Sequence, residues 1–170
     1  MTGERDSGAV EAIFIAERAG ERPEPTPAAE LVPGRGVRGD RYFTGSGEFS
    51  HKTGSSRDLT LIEAEAIEGL AAEQGIEIDP EESRRNVLTR GIDLNALVGR
   101  TFYVGEVECR GDRLCDPCSH LQSLTRPGVL RGLAGRGGLR ADVLSEGTIR
   151  VGDAVGPGDA TTSSGDRAQA

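Results

Sequence analysis

Glycine breaks this chain into short pieces. Twenty-five of the 170 residues are glycine, and they recur every few positions from Gly34 to Gly47 and again from Gly128 to Gly138. Glycine weakens helix and strand interiors and serves turns, so this spacing favours many turns and short strands over long helices. There is no Trp, only two Tyr and four Phe, so a core must be assembled from small aliphatic side chains. RDLTLIEAEAIEGLAAEQG (57–75) is the clearest local signal. Leu59, Leu61 and Ile62 start it as a strand, and Thr60 with Glu63 reads as a capping box. Ala64, Ile67, Leu70 and Ala71 then fall at helical spacing, and Gly75 is placed to stop the helix.

Around it, VEAIFIAER (10–18) reads as a first strand through Val10, Ile13 and Ile15. GERPEPTPAAE (20–30), with three prolines, reads as an extended exposed loop. Residues 31–56 are dense in Gly, Ser and Arg and suggest a functional loop or lid. A short strand follows at Asn86–Thr89, then helical turns over 93–99 capped by Asp93. TFYVGEVECRGDRL (101–114) is strand material cut by glycines. Residues 120–138 have helical spacing interrupted at Pro127. LRADVLSEGTIRVGDAV (139–155) reads as a hairpin turning at Ser145-Glu146-Gly147. The expectation is one α+β, β-rich, barrel-like domain over residues 10–156 with two or three peripheral helices. Residues 1–9 are expected to be flexible and 157–170 a disordered polar tail.

The net charge is −8 and the pI near 4.9, so no chain-wide basic field exists to hold nucleic acid or an anionic membrane. No apolar run is long enough to span a bilayer, and MTGERDSGAV lacks the apolar core of a secretory signal. The expected setting is the cytoplasm, where thiols stay reduced.

Two of the three cysteines stand in RLCDPCSHLQ (113–122) as a CxPC. Pro117 suits the first position of a helix, which would put Cys118 in the first turn, where backbone N–H groups and the macrodipole favour a thiolate. Such a thiolate can attack an electrophile, carry a persulfide or bind a soft metal. Structural zinc would have to draw on Cys109, Cys115, Cys118, His51 and His120 without a second CxxC. A thioredoxin-like pair would want a βαβ frame. Cys109 shares a strand face with Val107 and reads as packing. Arginines accompany the CxPC in glycine-rich stretches: Arg35, Arg38 and Arg41, then Arg57, then SRRN (83–86) and RGGLRA (136–141). Arginine forks match phosphate oxygens, so these together suggest a pocket for a small anion.

In order along the chain, GVRGDRYFTGSG (36–47), RDLTLIEAEAIE (57–68), RRNVLTRGIDLNALVGRTFYVGEV (84–107), CDPCSHL (115–121) and RGGLRADVLSEGTIRVGD (136–153) resemble the MOSC domain. This module also forms the C-terminus of molybdenum-cofactor sulfurases, and the likeness is greatest to its small free-standing prokaryotic members. The resemblance implies a β-rich barrel that binds a molybdenum–molybdopterin cofactor, with Cys118 as the molybdenum ligand. Arg84 and Asn86 match an R-x-N element on the pterin phosphate side. Gly39, Asp40 and Arg41 match a GDR turn opening toward the cofactor, with Arg57 and Cys115 beside it and His120 as an acid–base candidate. Two activities are implied. One is reduction of N-hydroxylated compounds, with electrons from a donor protein. The other is sulfur carriage, with Cys118 taking a persulfide from a separate pyridoxal-phosphate cysteine desulfurase. A small-molecule substrate is expected; a homodimer is compatible with the sequence, though no face demands one.

Overall fold

The computed structural model describes residues 6–16, 23–40, 58–114 and 137–157. Seven strands close into a ring. They are β1 (Asp6–Ile15), β6 (Val87–Ile92), β5 (Leu59–Glu63), β9 (Leu139–Val143), β8 (Val107–Leu114), β7 (Thr101–Val104) and β11 (Ala154–Pro157). The ring is completed where β11 pairs with β1, Gly8 opposite Val155 and Ala9 opposite Ala154. Closure removes the bare strand edges that an open sheet would present. All neighbours run antiparallel except β5 and β6, which lie parallel with Leu61 opposite Val87. Register shifts in β1 between Asp6 and Ala9 and between Val10 and Ala12 bend it around the ring.

The barrel interior is one apolar cluster that includes Val10, Ile13, Leu61, Val87, Phe102, Val104, Cys109, Leu139 and Val155. A second sheet of β3 (Ala28–Val32), β4 (Gly36–Val37) and β10 (Gly147–Arg150) adds Ala29, Leu31, Val37 and Ile149 to the same cluster. On the outer face, α1 (Ala64–Gln74) packs Ala64, Ala66, Ile67 and Leu70 against Phe14, Ile62 and Leu88. Neighbouring residues Ile13 and Phe14, Leu61 and Ile62, and Val87 and Leu88 thus serve opposite faces that are both buried. A strand covered on both sides has no reason to alternate with polar residues, so these runs look continuous in the sequence. Among the described residues no helix is long and apolar enough to cross a membrane.

The strand-rich, barrel-like reading agrees with this architecture, and several local expectations change. The strand expected from Val10 starts at Asp6, because the Gly8–Ala9 pair closes the ring with β11. The proline-rich segment forms β2 (Glu24–Thr26) on the outer edge of β1, with Pro25 opposite Phe14. Proline fixes an extended-compatible φ and lacks only the N–H, which an edge strand does not need. The expected 139–155 hairpin does not form. β9 stays in the barrel between β5 and β8, whereas β10 crosses to β3. The corner between them is fastened to the β7–β8 turn: the Glu108 N–H donates to Ser145 Oγ, and the Thr148 N–H to a Glu106 carboxylate oxygen.

Among the described residues α1 is the one α-helix, with short 3-10 turns at Pro80–Ser83 and Leu94–Leu97. The third helix expected within 120–138 falls almost wholly outside them. Gly75 closes α1 in the left-handed region, φ 68°, with its N–H on the Ala71 and Leu70 carbonyls. Asp93 caps the Leu94–Leu97 turn through the Asn95 N–H, as expected. The Thr60–Glu63 capping box does not form. Thr60 lies in the β5 ladder opposite Arg140, and Glu63 accepts the Leu94 N–H instead.

Candidate functional site

β5 is the strand around which the site residues gather. Leu61 pairs with Val87 on one side and with Leu139 on the other, and Leu139 pairs in turn with Leu114. Leu114 is the last residue of β8, and the CxPC follows it in the sequence. With strands about 4.8 Å apart, three steps from Leu114 to Val87 cover roughly 14 Å.

The corner before β6 is built by side chains. The Asn86 N–H donates to the Thr60 carbonyl, 3.0 Å, and to Thr60 Oγ1, 3.0 Å. Asn86 Oδ1 accepts from the Thr60 N–H, 3.3 Å, and from its hydroxyl, 3.2 Å. On the other side Asn86 Nδ2 donates to the Phe14 carbonyl, 3.3 Å, and the Phe14 N–H donates to the Asn86 carbonyl, 2.7 Å. Asn86 therefore joins β1 to β5 just ahead of the point where β6 takes over the pairing, and it is buried there.

Just before it, Arg84 has φ 64°, the one non-glycine residue at positive φ among the described residues. For a side chain with a Cβ this costs about 1–2 kcal/mol and persists only where the surroundings fix it. Ser83 fixes the near side. It is buried, its hydroxyl donates to the Pro80 carbonyl, and it accepts the Arg85 N–H. Arg85 reaches across β5, its Nε donating to the Gly137 carbonyl at 2.9 Å. Gly138 follows at φ 117°, where a Cβ would stand 2.2 Å from the Leu61 carbonyl oxygen, so only glycine lets the chain re-enter β9 here. Arg140, the rung partner of Thr60, shares the outer face with it, because Leu59, Leu61, Leu139 and Ala141 all point inward.

The structure thus brings SRRN and the end of RGGLRA together. The first arginine stretch has anchors of its own. Arg35 lies in the β3–β4 turn, where the Gly34 N–H donates to Asp58 Oδ2, and Asp58 in turn accepts from Val143 at the far end of β9. Arg38 pairs with Glu30 on the exposed surface at 2.6 Å. Arg35 and Arg38 thus go with β3 and β4, and Arg84, Arg85 and Arg140 with the strands β5, β6 and β9. Gly39 sits in a turn at φ 89°, and Asp40 is buried with Oδ1 on the Ala16 N–H at 3.0 Å. Asp40 and Asn86 accordingly grip the same stretch of β1, residues 14–16. Arg41, His51, Arg57, Cys115, Cys118 and His120 lie outside the described residues.

Cys109 is fully buried in the barrel, as its strand position implied. Burial, with the carboxylates of Asp58, Glu108 and Asp142 adding to it, pushes its thiol up to about 12, so it stays protonated at neutral pH. Among the described residues no group of three or more His, Cys, Asp or Glu side chains could hold a metal ion. Thr60 is the site residue that the sequence reading assigned elsewhere. Its one signal was a lone hydroxyl inside the apolar run Leu59–Ile62.

A closed β-rich barrel with a helix laid on its outer wall and an arginine corner beside the base of a CxPC segment defines a MOSC-type domain. The chain belongs to the MOSC domain family, whose model matches residues 48–156. In structure it is similar to the YUAD protein from Bacillus subtilis, with a TM-score of 0.72 and 20% identity over 88% of this chain and 94% of that one. YiiM from Geobacillus stearothermophilus gives 0.68 at 13% identity over 88% and 74%. YiiM from Escherichia coli gives 0.63 at 16% over 89% and 69%. No curated protein matches the chain.

Proposed function

We propose that this MOSC protein binds a molybdenum–molybdopterin cofactor and reduces N-hydroxylated compounds, with Cys118 as the sulfur ligand and the Arg84 corner on the phosphate end. The observation that carries this reading is a half-buried arginine in a left-handed backbone, on a family barrel, beside Arg85, which holds the Gly137 carbonyl at the entry to β9. The donor set fits the phosphate end of that group: Arg84 and Arg140 supply cations, and Arg85 ties the corner to Gly137.

When bound, the cofactor supplies two-electron chemistry: an N-hydroxylated compound, two electrons and two protons give the N–H compound and water. The residues hold, orient and neutralise. The Arg84 fork meets phosphate oxygens in pairs, and Arg140 adds positive charge on the same face. Asp40 and Asn86 keep residues 14–16 of β1 in place behind them. Arg41 and Arg57 are assigned to the same anion, Cys115 to the flank of the thiolate and His120 to proton delivery. A separate donor protein supplies the electrons.

Chain made in a host competent for the cofactor should retain stoichiometric molybdenum and pterin. Cys118→Ala should lose both and Cys109→Ala should keep them. Arg84→Ala should lower retention far more than Arg150→Ala, which alters an exposed residue on β10. Cyanide-releasable sulfur on Cys118 after incubation with a desulfurase, without molybdenum, would assign the chain to sulfur carriage. Stoichiometric zinc would make it a structural module.

A further inference from the structure

Arg84 holds a strained conformation, and the groups that enforce it are bonded to one another and to the backbone. From Ser83 to Asn86 the chain is pinned at both ends. Ser83 is held by the Pro80 carbonyl and the Arg85 N–H, and Asn86 by Thr60 and the Phe14 backbone. The Thr60 hydroxyl takes part twice, donating to Asn86 Oδ1 and accepting the Asn86 N–H. Both oxygen-side bonds of the Asn86 amide go to Thr60, and its amide nitrogen already serves Phe14.

We propose that Thr60 is a positioning residue for the anion site: through Asn86 it fixes the left-handed turn that presents Arg84. Asn86 then acts through Arg84 rather than as a direct ligand of the phosphate. Valine has the shape of threonine without the hydroxyl, and it cannot replace either bond. Serine keeps the hydroxyl and loses only a methyl group. The two substitutions therefore separate hydrogen bonding from packing at one position on β5. This inference rests on the cofactor reading above.

The test uses full-length chain from the cofactor-competent host, with molybdenum and pterin per chain measured after gel filtration in the cold and folding checked by circular dichroism. Thr60→Val should lower retention about tenfold, the worth of one to two hydrogen bonds at such a corner. Thr60→Ser should stay within about twofold of the unaltered chain. Arg84→Gly, which keeps the backbone turn and drops the guanidinium, should lose retention while its thermal midpoint rises. Full retention in Thr60→Val alongside loss in Arg84→Gly overturns the positioning role and leaves the cofactor reading standing. Equal loss in Thr60→Ser and Thr60→Val also overturns it, since the hydroxyl would then not be what matters. Full retention in Arg84→Gly sinks the cofactor reading itself. If Thr60→Val does not fold, Thr60→Ser and Thr60→Ala are compared by the same measure, and equal retention in those two overturns the proposal.

Discussion

The barrel wall and the corner that carries Arg84 are fastened by different kinds of bond. In the wall, backbone pairs with backbone and the inside is aliphatic, as around Phe102, Val104 and Cys109. At the corner, just ahead of β6, the side chains of Asn86 and Thr60 bridge β1 and β5 before the β6 ladder begins. Many sequences can satisfy the wall, because burial is non-directional. Few can satisfy the corner, because each donor there has one partner at one place. Structural tolerance and chemical specificity thus sit side by side on the same strand, β5.

The sharpest way to break that contrast is to damage each region and read stability and cofactor retention separately. Phe102→Ala empties a fully buried site in the wall and should cost about 4 kcal/mol in urea unfolding, with retention per folded chain unchanged. Asn86→Ala removes three side-chain hydrogen bonds and leaves the Phe14 carbonyl without one of its partners; it should cost about 3 kcal/mol and lower retention as well. If both variants lose retention equally, wall and corner are one unit.

The Cys109 thiol sharpens the comparison from the wall side. Its folded value is raised from the ordinary 9.0 to about 12, so the native state keeps a proton that the unfolded chain releases. The stability it contributes is complete below pH 9 and is lost as pH rises toward 12, at about 1.4 kcal/mol per pH unit. Unfolding measured across that window should show the slope, and Cys109→Ala should remove that part of it. The smallest effect belongs to the corner. Arg84→Gly should raise stability by about 1 kcal/mol by relieving the left-handed strain, seen as a higher urea midpoint.

The two regions were unequally legible in the sequence. The wall could be read because burial leaves a pattern: Leu59, Leu61 and Ile62, then Val87 and Leu88, announce strands by their apolar side chains. The stop of α1 at Gly75 and the cap at Asp93 follow from local chemistry and were legible for that reason. The fate of residues 139–155 was not, because a Ser-Glu-Gly turn suits both a hairpin and a corner between sheets. What decides is Glu108 meeting Ser145 across 37 positions of chain and Thr148 meeting Glu106 across 42, which no short window contains. The capping box misled for a related reason. Thr60 has the right residue type for a cap, but its hydroxyl is claimed by Asn86, 26 positions away. The arginines were legible as a set and not as a place, since only the folded chain puts Arg38 on Glu30 and Arg85 on the Gly137 carbonyl.

The ring is sealed by two segments far apart in the sequence, Gly8 beside Val155 and Ala9 beside Ala154. A nascent chain emerging from a ribosome therefore holds an unsealed cylinder until the 154–157 strand is out. During that interval β1 and β7 each show a raw flank able to zip onto another copy. Losing that strand would be felt as clumping before it was felt as lost chemistry.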